Sequence, residues 1–348
     1  MSEADGALPG ADAPLLDVEG LVTRYPVPRG LLGAVMRRPQ LTVKAVDGVS
    51  FSVAAGEMVA LVGESGCGKT TTAQTVIRMV EHQGGSIRFD GMEISGLSPR
   101  ELRPLRREIQ IIYQDPYESL DPRFTVRDTI EEPIRVHSLV ARSEDREAKV
   151  YEAMERAGLT PPELFIDRYP HELSGGQRQR VAIAAALVLE PKLLIADEPV
   201  SMLDVSVRAG ILALLDGLRR DGMGVLMITH DLSTAAHFAD RIAVMYLGRI
   251  VEEGPARDVV RNPRHPYTRA LISVVPRRDP DEPSYPQILT GETPNPVRVP
   301  PGCRFHPRCP MAEDRCKETD PVLREVVGLD PLHRAACLLL SSGARDGR

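Results

Sequence analysis

The sequence predicts an α/β fold for most of the chain, and three observations support this prediction. Between Leu15 and about Arg261, short apolar runs alternate with amphipathic or polar segments, as is typical of α/β domains. Two helical segments, Ser143–Gly158 and Gly175–Leu189, separate the first strand candidate from the others. Most strand candidates lead into a polar or glycine-rich turn, where ligands of α/β sheets bind. These candidates are Met58–Val62, Leu193–Asp197, Val225–Thr229 and Ile242–Tyr246.

Composition limits the class of protein. The chain has 348 residues, enough for one large domain or two, and a net charge of −6. With 42% hydrophobic and 26% charged residues, it is neither disordered nor a coiled coil as a whole, and its mild acidity argues against a basic nucleic-acid surface. The longest apolar stretch, Val181–Leu189, is far shorter than the roughly 20 residues needed to cross a bilayer. We find no signal peptide and expect a cytosolic protein.

Three segments are expected along the chain. Residues 1–14 are acidic and rich in Ala, Gly and Pro, which predicts a disordered tail. The main domain is predicted over 15–261. From 262 to 348 the helical periodicity fades, prolines crowd between Pro263 and Pro310, and four of the five cysteines appear. This predicts a small Pro/Cys-rich C-terminal extension.

The turn after the first strand candidate matches a phosphate loop. It reads Gly63-Glu-Ser-Gly-Cys-Gly-Lys-Thr70, lies between a strand and a helix, and so has the context that the motif requires. Its glycines let backbone N–H groups point at phosphate oxygens, the lysine binds the β and γ phosphates, and the threonine hydroxyl binds Mg²⁺. The alternative is an ordinary glycine-rich turn. The expected nucleotide contacts are Gly63, Glu64, Ser65, Gly66, Cys67, Gly68, Lys69, Thr70 and Thr71.

Cys67 within this loop is expected to be accessible near the phosphates. Alkylation of its thiol should then block ATP binding, and bound ATP should protect the thiol.

A second element follows the strand candidate Leu193–Asp197. This apolar run ends in Asp197 and Glu198, which suits a Walker B role: Asp197 would hold Mg²⁺ and Glu198 would polarise the attacking water. Alone, the pattern is equally typical of a solvated strand end. Together with the phosphate loop, it predicts a P-loop NTPase.

A third element narrows the class. Ser174, Gly175, Gly176 and Gln177 follow Leu173 and precede a helical run, so that a hydroxyl and glycine N–H groups form a second anion site, or a plain helix cap. This segment resembles the signature sequence of ATP-binding cassette (ABC) proteins. One nucleotide does not need two such loops. The resemblance implies that the signature loop of one subunit closes over the nucleotide held by another.

With these motifs, the chain resembles the ATP-binding subunit of a bacterial oligopeptide/dipeptide-type ABC importer. The resemblance implies a RecA-like P-loop NTPase fold with an antiparallel β subdomain and a helical subdomain at about 115–188. Tyr113-Gln114-Asp-Pro-Tyr117 is similar to the Q-loop, Ser201-Met-Leu-Asp204 to the D-loop, and Thr229-His230-Asp231 to the switch histidine. Tyr25 is similar to the aromatic residue that stacks on adenine. Each residue also has an ordinary explanation, such as a surface glutamine, a core histidine or a tyrosine packed on the sheet.

The resemblance implies a division of roles at the site. Glu198, His230 and Gln114 are expected to act in catalysis. ATP is the expected nucleotide, contacted also by Tyr25, Asp204 and the signature residues, and Mg²⁺ is expected at Thr70, Gln114 and Asp197.

The extension carries the motifs that are most specific for a subfamily. The runs Arg261–Thr268, Gly291–Pro296 and Pro301–Pro310 resemble the tail of peptide and nickel importer ATPases. Related subunits hold a four-iron four-sulfur cluster in this tail. The resemblance therefore implies a 4Fe-4S cluster, with Zn²⁺ or unligated thiols as alternatives. The four residues in question are Cys303, Cys309, Cys316 and Cys337.

The sequence thus predicts an ATPase subunit that energises import of oligopeptides or dipeptides. Its expected partners are two transmembrane permease subunits, a second ABC ATPase in a heterodimer or homodimer, and indirectly an extracytoplasmic solute-binding protein, with no nucleic acid. It should lie peripherally at the cytoplasmic face of the cell membrane. The alternatives are nickel or another solute as cargo, or a non-transport ABC ATPase that acts on nucleic acid or ribosomes.

Overall fold

The computed structural model describes residues 13–28, 40–140, 142–274, 289 and 291–341. The predicted tail over 1–14 lies almost entirely outside these residues. Within them, the strands are β1 (Leu16–Pro26), β2 (Thr42–Val53), β3 (Met58–Val62), β4 (Gly84–Phe89), β5 (Met92–Glu93), β6 (Ile109–Ile112), β7 (Leu193–Asp197), β8 (Gly224–Thr229), β9 (Arg241–Tyr246), β10 (Arg249–Pro255), β11 (Arg324–Glu325) and β12 (Arg334–Ala335).

Helices connect these strands. The α-helices in the same residues are α1 (Lys69–Val76), α2 (Pro99–Glu108), α3 (Pro116–Ser119), α4 (Val126–Val136), α5 (Ser143–Arg156), α6 (Gly175–Leu187), α7 (Val205–Arg220), α8 (Leu232–Phe238), α9 (Ala256–Arg261), α10 (Pro266–Ser273) and α11 (Asp314–Glu318). Short 3-10 turns lie at Pro162–Leu164, Pro170–Glu172, His306–Arg308 and Leu338–Ser341. Each strand and long helix predicted from the sequence is present, with ends that shift by one or two residues.

The strands form two sheets. A main sheet has the order β11-β12-β10-β9-β3-β8-β7-β6, in which β9, β3, β8, β7 and β6 run parallel. A smaller antiparallel sheet has the order β2-β1-β4-β5. Since parallel strands end at one edge, the turns that follow β3, β7 and β8 meet there. This confirms the P-loop NTPase fold.

The main sheet is covered on both faces, as expected of parallel strands that read as continuous apolar runs. All five residues of β3 are buried. Met58, Ala60 and Val62 face a core shared with the helices, and Val59 and Leu61 face a core shared with the antiparallel sheet. The sheet edge that carries the turns is therefore held between two packed layers.

Helices α3 to α6 lie within residues 116–187, in the region predicted as the helical subdomain. Reciprocal side-chain and backbone hydrogen bonds fix two of their N-termini, between Thr125 and Asp128 at α4 and between Ser174 and Gln177 at α6. Arg178 at the start of α6 stacks over the ring of Tyr117 in α3, 3.9 Å from its centroid. This contact joins the helix after the signature loop to the helix after Gln114.

The C-terminal extension packs as part of the main sheet. Strand β12 pairs with β10, with Glu252 opposite Ala335 and Glu253 opposite Arg334. Phe305 is 1% exposed and its ring packs against Tyr246 of β9. The backbone pairing and the apolar core therefore both cross the boundary that we predicted after Arg261. In the part of the chain that the structure describes, no helix is both long and apolar enough to cross a membrane.

Candidate active site

The turn from β3 into α1 has the backbone of a phosphate loop. Gly66 and Gly68 have positive φ angles of 78° and 112°, which favour glycine. A Cβ atom on Gly68 would lie 2.1 Å from the carbonyl oxygen of Ala45 in β2, so no other residue fits there. Lys69 donates from Nζ to the backbone oxygens of Gly63 at 2.8 Å and Glu64 at 3.1 Å. Two backbone carbonyls of the loop thus hold the cationic head of the lysine at the cavity.

A cavity of about 610 Å³ lies over this loop. Its volume and its position at the carboxyl ends of the strands suit a nucleotide. Most of its lining was predicted from the sequence, but Val43, Ala45 and Pro296 were not. The lining residues are Tyr25, Val43, Ala45, Ser65, Gly66, Gly68, Lys69, Thr70, Thr71, Gln114, Glu198, His230 and Pro296.

Pro296 brings the extension to the edge of this cavity. The backbone N–H of Lys44 in β2 donates to the Pro296 carbonyl at 3.2 Å. The run Gly291–Pro296 indicates the subfamily, but nothing in a proline predicts that it lines a cavity. Only the fold brings residue 296 beside Tyr25.

Asp197 ends β7 directly behind the phosphate loop and is 3% exposed. Thr70 donates from Oγ1 to its Oδ1 at 3.3 Å. Burial raises the pKa of Asp197. The negative charge of neighbouring Glu198 adds to this rise, and the hydrogen bond from Thr70 opposes it. A hydroxyl and a carboxylate at this separation suit Mg²⁺, which prefers oxygen ligands and completes its shell with water and substrate phosphates. A cation there would offset the unfavourable burial of the carboxylate.

Glu198, His230 and Gln114 converge on one point. Glu198 Oε2 accepts hydrogen bonds from Gln114 Nε2 at 3.3 Å and from His230 Nδ1 at 3.1 Å. Glu198 has a positive φ of 46°, and its N–H donates to the carbonyl of Ile228 in β8. The backbone thus holds in place a carboxylate that could accept a proton from water at the mouth of the cavity.

Three of the contacts predicted within the phosphate loop do not line the cavity: Gly63, Glu64 and Cys67. Gly63 lies close against β9, because a Cβ atom there would be 2.2 Å from the Met245 carbonyl oxygen. The Glu64 carboxylate binds residues of the extension.

The expected accessibility of Cys67 is wrong. Its side chain is 2% exposed and belongs to the core beneath the loop. Burial raises the pKa of the Cys67 thiol, although nearby Lys69 opposes the shift. The loop presents its backbone to the cavity and directs this side chain toward the sheet, which the sequence pattern does not reveal.

The signature residues also lie away from this cavity. Ser174 accepts a hydrogen bond from the N–H of Gln177, and Gly176 packs so tightly that a Cβ atom would lie 2.4 Å from Val207 Cγ1 in α7. Asp204 is the N-cap residue of α7. Neither they nor Gly175 line the described cavity over the phosphate loop. The described chain therefore does not bring its two predicted anion sites together at this cavity.

The four C-terminal cysteines gather in the extension. The N–H of Cys303 donates to the carbonyl of Cys316, and burial followed by the neighbouring thiols raises the pKa of Cys303 to about 11. Burial also raises the pKa values of Cys309 and Cys337. Across the described residues, however, no three His, Cys, Asp or Glu side chains are placed to hold a metal ion. The predictions of a 4Fe-4S cluster and of Zn²⁺ thus gain no support from a preformed metal site.

Comparisons with known proteins decide the family. A model for ABC transporters matches residues 46–201, and a model for the C-terminal region of oligopeptide/dipeptide transporters matches residues 251–316. The oligopeptide transport ATP-binding protein AppF of Bacillus subtilis is 45% identical over 331 residues, covering 94% of this chain and 98% of AppF. This chain belongs to the ABC transporter family. OppF of Escherichia coli, also named an oligopeptide transport ATP-binding protein, is 49% identical over 82% of this chain and 86% of its own.

Solved structures of ABC cassettes agree with this assignment. The dimeric cassette MJ0796, bound to ADP and Pi in a post-hydrolysis state, is 28% identical, with a TM-score of 0.61 over 70% of this chain and 99% of its own. The chain is thus an ATP-binding and ATP-hydrolysing ABC subunit that pairs with a second cassette and with membrane permease subunits. As such a subunit it lies peripherally at the cytoplasmic face of the membrane.

Proposed function

We propose that this ABC subunit energises the import of oligopeptides or dipeptides. The observation that carries the proposal is the match of residues 251–316 to the C-terminal region of oligopeptide/dipeptide transporters. AppF and OppF, similar over most of the chain, are named for oligopeptide transport. The extension joins the main sheet and reaches the nucleotide cavity through Pro296, so this subfamily region is integral to the cassette.

We assign the site residues as follows. Ser65, Gly66, Gly68, Lys69 and Thr71 hold the phosphates through backbone N–H groups and the lysine charge. Thr70, Asp197 and Gln114 would hold Mg²⁺, which would neutralise phosphate charge when bound. Tyr25 stacks on the base.

Hydrolysis is assigned to the triad around Glu198 Oε2. Glu198 takes a proton from the attacking water, and Gln114 and His230 orient the carboxylate and that water. The common hydrogen-bond acceptor of Gln114 and His230 supports this assignment.

The composite site is completed by the second cassette. Its signature residues, equivalent to Ser174, Gly175, Gly176 and Gln177 here, close over the nucleotide, and Asp204 lies at the same interface. The separation of these residues from the cavity supports this, as do exposed apolar side chains beside Asp204: Met202 is 59% exposed and Val205 is 80% exposed. We propose a distinct second ATPase, with a homodimer as the alternative.

Closure of the pair moves two permease subunits through the segment from Gln114 to Arg135. The stacking of Arg178 on Tyr117 supports this path, since it ties the helix that follows the signature loop to that segment. An extracytoplasmic binding protein delivers the cargo.

For the four cysteines, we propose a 4Fe-4S cluster, with Zn²⁺ as the alternative. Support comes from their proximity in the extension, where Cys316 is buried and the other three are partly buried, and from the match to the importer C-terminal region. Anaerobically purified protein should absorb broadly at about 400 nm and contain iron and sulfide. Replacing all four cysteines by Ser should abolish both, whereas Cys67→Ser should not. Colourless protein with stoichiometric zinc would contradict the cluster.

The cargo is tested with the intact transporter. The chain should be co-purified with its membrane partners and binding protein, reconstituted in liposomes, and assayed for ATP hydrolysis with a mixture of short peptides, with NiCl₂ and with no addition. Peptides should stimulate hydrolysis and accumulate in the compartment that represents the cytoplasm. Stimulation by nickel alone, or purification with ribosomes instead of permeases, would overturn the proposal.

A further inference from the structure

The second residue of the phosphate loop, Glu64, is held by the C-terminal extension. Arg308 donates from Nη1 to Glu64 Oε2 at 2.8 Å and from Nη2 to Oε1 at 3.1 Å, which makes a bidentate salt bridge. Thr293 donates from Oγ1 to Oε2 at 2.8 Å. The backbone N–H of Glu64 donates to the Tyr267 hydroxyl at 2.9 Å. Three separate segments beyond β10 thus converge on one residue of the loop.

The same residue also contacts the lysine that faces the cavity. The Glu64 carbonyl accepts a hydrogen bond from Lys69 Nζ. The position of Glu64 therefore helps to set where the lysine head lies. Because its side chain and N–H are bound by the extension, the extension limits the conformations open to the loop between β3 and α1.

The charge of Glu64 gives the contact a second consequence. An unpaired carboxylate in a loop that binds a polyanion would repel the nucleotide. Arg308 is only 9% exposed, so its pairing with Glu64 is weakly screened by water. The pair thus removes one negative charge from the field at the phosphate site.

Arg308 is itself firmly supported. It ends the 3-10 turn His306–Arg308, and its N–H donates to the carbonyl of Phe305. Phe305 is buried against Tyr246 and Tyr267, which come from β9 and α10. A rigid support is what a positioning residue requires, since a mobile arginine would not fix the loop.

We propose that Arg308, helped by Thr293 and Tyr267, positions the phosphate loop for ATP through Glu64. The extension thereby sets nucleotide affinity within its own subunit. This inference rests on ATP binding by the cassette and not on the proposed cargo. It can therefore be wrong while peptide import is correct, and it can be correct while peptide import is wrong.

The test measures ATP affinity and turnover in full-length variants. Arg308→Met should raise the dissociation constant of a fluorescent ATP analogue and the KM for ATP by roughly tenfold, because only a fraction of loops would be binding-competent. The kcat at saturating ATP should change less than about twofold, since bound nucleotide restores the loop. The KM of Arg308→Lys should lie between those of the unmodified protein and Arg308→Met, because lysine keeps the charge but cannot form the bidentate pair.

A matched control separates positioning from stability. Arg334 also links the extension to the main sheet, through an ion pair with Glu253, and among the described residues no hydrogen bond or ion pair joins it to the phosphate loop. Arg334→Met should lower the Tm about as much as Arg308→Met does and leave the KM for ATP unchanged. If Arg308→Met leaves the KM unchanged, or if both variants raise it equally, the proposal is wrong.

A double-mutant cycle tests the path through Glu64. Removing the Glu64 charge removes the need for Arg308, so the effects of Glu64→Gln and Arg308→Met on the KM should be clearly non-additive. Additive effects would overturn the path. Should Arg308→Met not fold, Thr293→Val provides the same test with a smaller expected rise in KM, about threefold. An unchanged KM in that variant would count against the proposal.

Discussion

At the scale of single residues, the site depends on where a few side chains are directed. Glu198 faces the cavity because its backbone adopts a positive φ after β7, whereas Asp197, one residue earlier, faces the phosphate loop from behind. Two adjacent carboxylates thus serve different partners. The sequence predicts both residue types, and the backbone turn separates their roles.

Glu198→Gln should bind ATP and lose turnover by roughly 10²- to 10⁴-fold, because the amide keeps the shape and cannot accept the proton from water. Nucleotide binding and phosphate release measured on one preparation would check this. Glu190→Gln is the matched control, because Glu190 also has a positive φ but pairs with Lys149 on the surface. Normal hydrolysis by Glu198→Gln would refute the assignment of the base.

Cys67 should resist alkylation in the folded protein. Burial raises its pKa, so the thiolate is scarce at neutral pH, and the reagent has no access to a side chain beneath the loop. Mass spectrometry of the peptide that contains Cys67, after iodoacetamide treatment with and without denaturant, measures this. Fast labelling of the native protein would be inconsistent with the described loop.

At the scale of elements, strands and helices carry separate parts of the site to one sheet edge. The turns after β3, β7 and β8 supply the phosphate loop, the carboxylates and His230, and short antiparallel strands attach the extension. Ring packing reinforces the short pairing of β12 with β10. Phe305 lies 5.3 Å from Tyr246 and 5.5 Å from Tyr267, measured between ring centroids.

Phe305→Ala should lower the free energy of unfolding by about 3–5 kcal/mol, because it empties a buried aromatic site. Denaturant unfolding followed by circular dichroism would measure the loss. Met311→Ala, at a half-exposed position of the same extension, should cost far less. If the two substitutions cost the same, the packing of the extension on the cassette would be in doubt.

At the scale of the whole molecule, ion pairs between buried arginines and partly buried carboxylates join the extension to the cassette. Arg304 pairs with Asp47 in β2, and Arg308 pairs with Glu64 in the phosphate loop. Burial alone would raise the pKa values of both carboxyl groups, but the bonds from these arginines, with Thr293 at Glu64, outweigh it and lower them. The extension is thus bound most firmly at pH values at which the Asp47 and Glu64 carboxyl groups are ionised.

Stability should therefore decrease on acidification. Because folding lowers the two pKa values, the contribution is fully present above the ordinary values of 3.8 and 4.5 and is lost as the pH falls through the lowered values. Unfolding free energies at pH 7, 5, 4 and 3 would show the decline. The double variant Arg304→Met with Arg308→Met should have a lower free energy of unfolding at pH 7 and lose less of it on acidification. If both proteins lose the same amount, these two ion pairs do not cause the pH dependence.

The sequence by itself determined the parts whose chemistry is local. The phosphate loop needs glycines before a lysine, parallel strands need continuous apolar runs, and the signature needs a serine cap, so Lys69, Asp197 and Ser174 could be placed on their elements directly. The tail motifs likewise indicated the subfamily.

Only the tertiary structure decided how distant segments face one another. Contacts between segments far apart in sequence bury Cys67, place Pro296 in the lining of the cavity and form the salt bridge between Arg308 and Glu64. Residue type does not encode such contacts, because the direction of a side chain follows from the packing of the layers around it. The separation of the two anion sites within one chain is likewise set by the distance that the fold imposes between them.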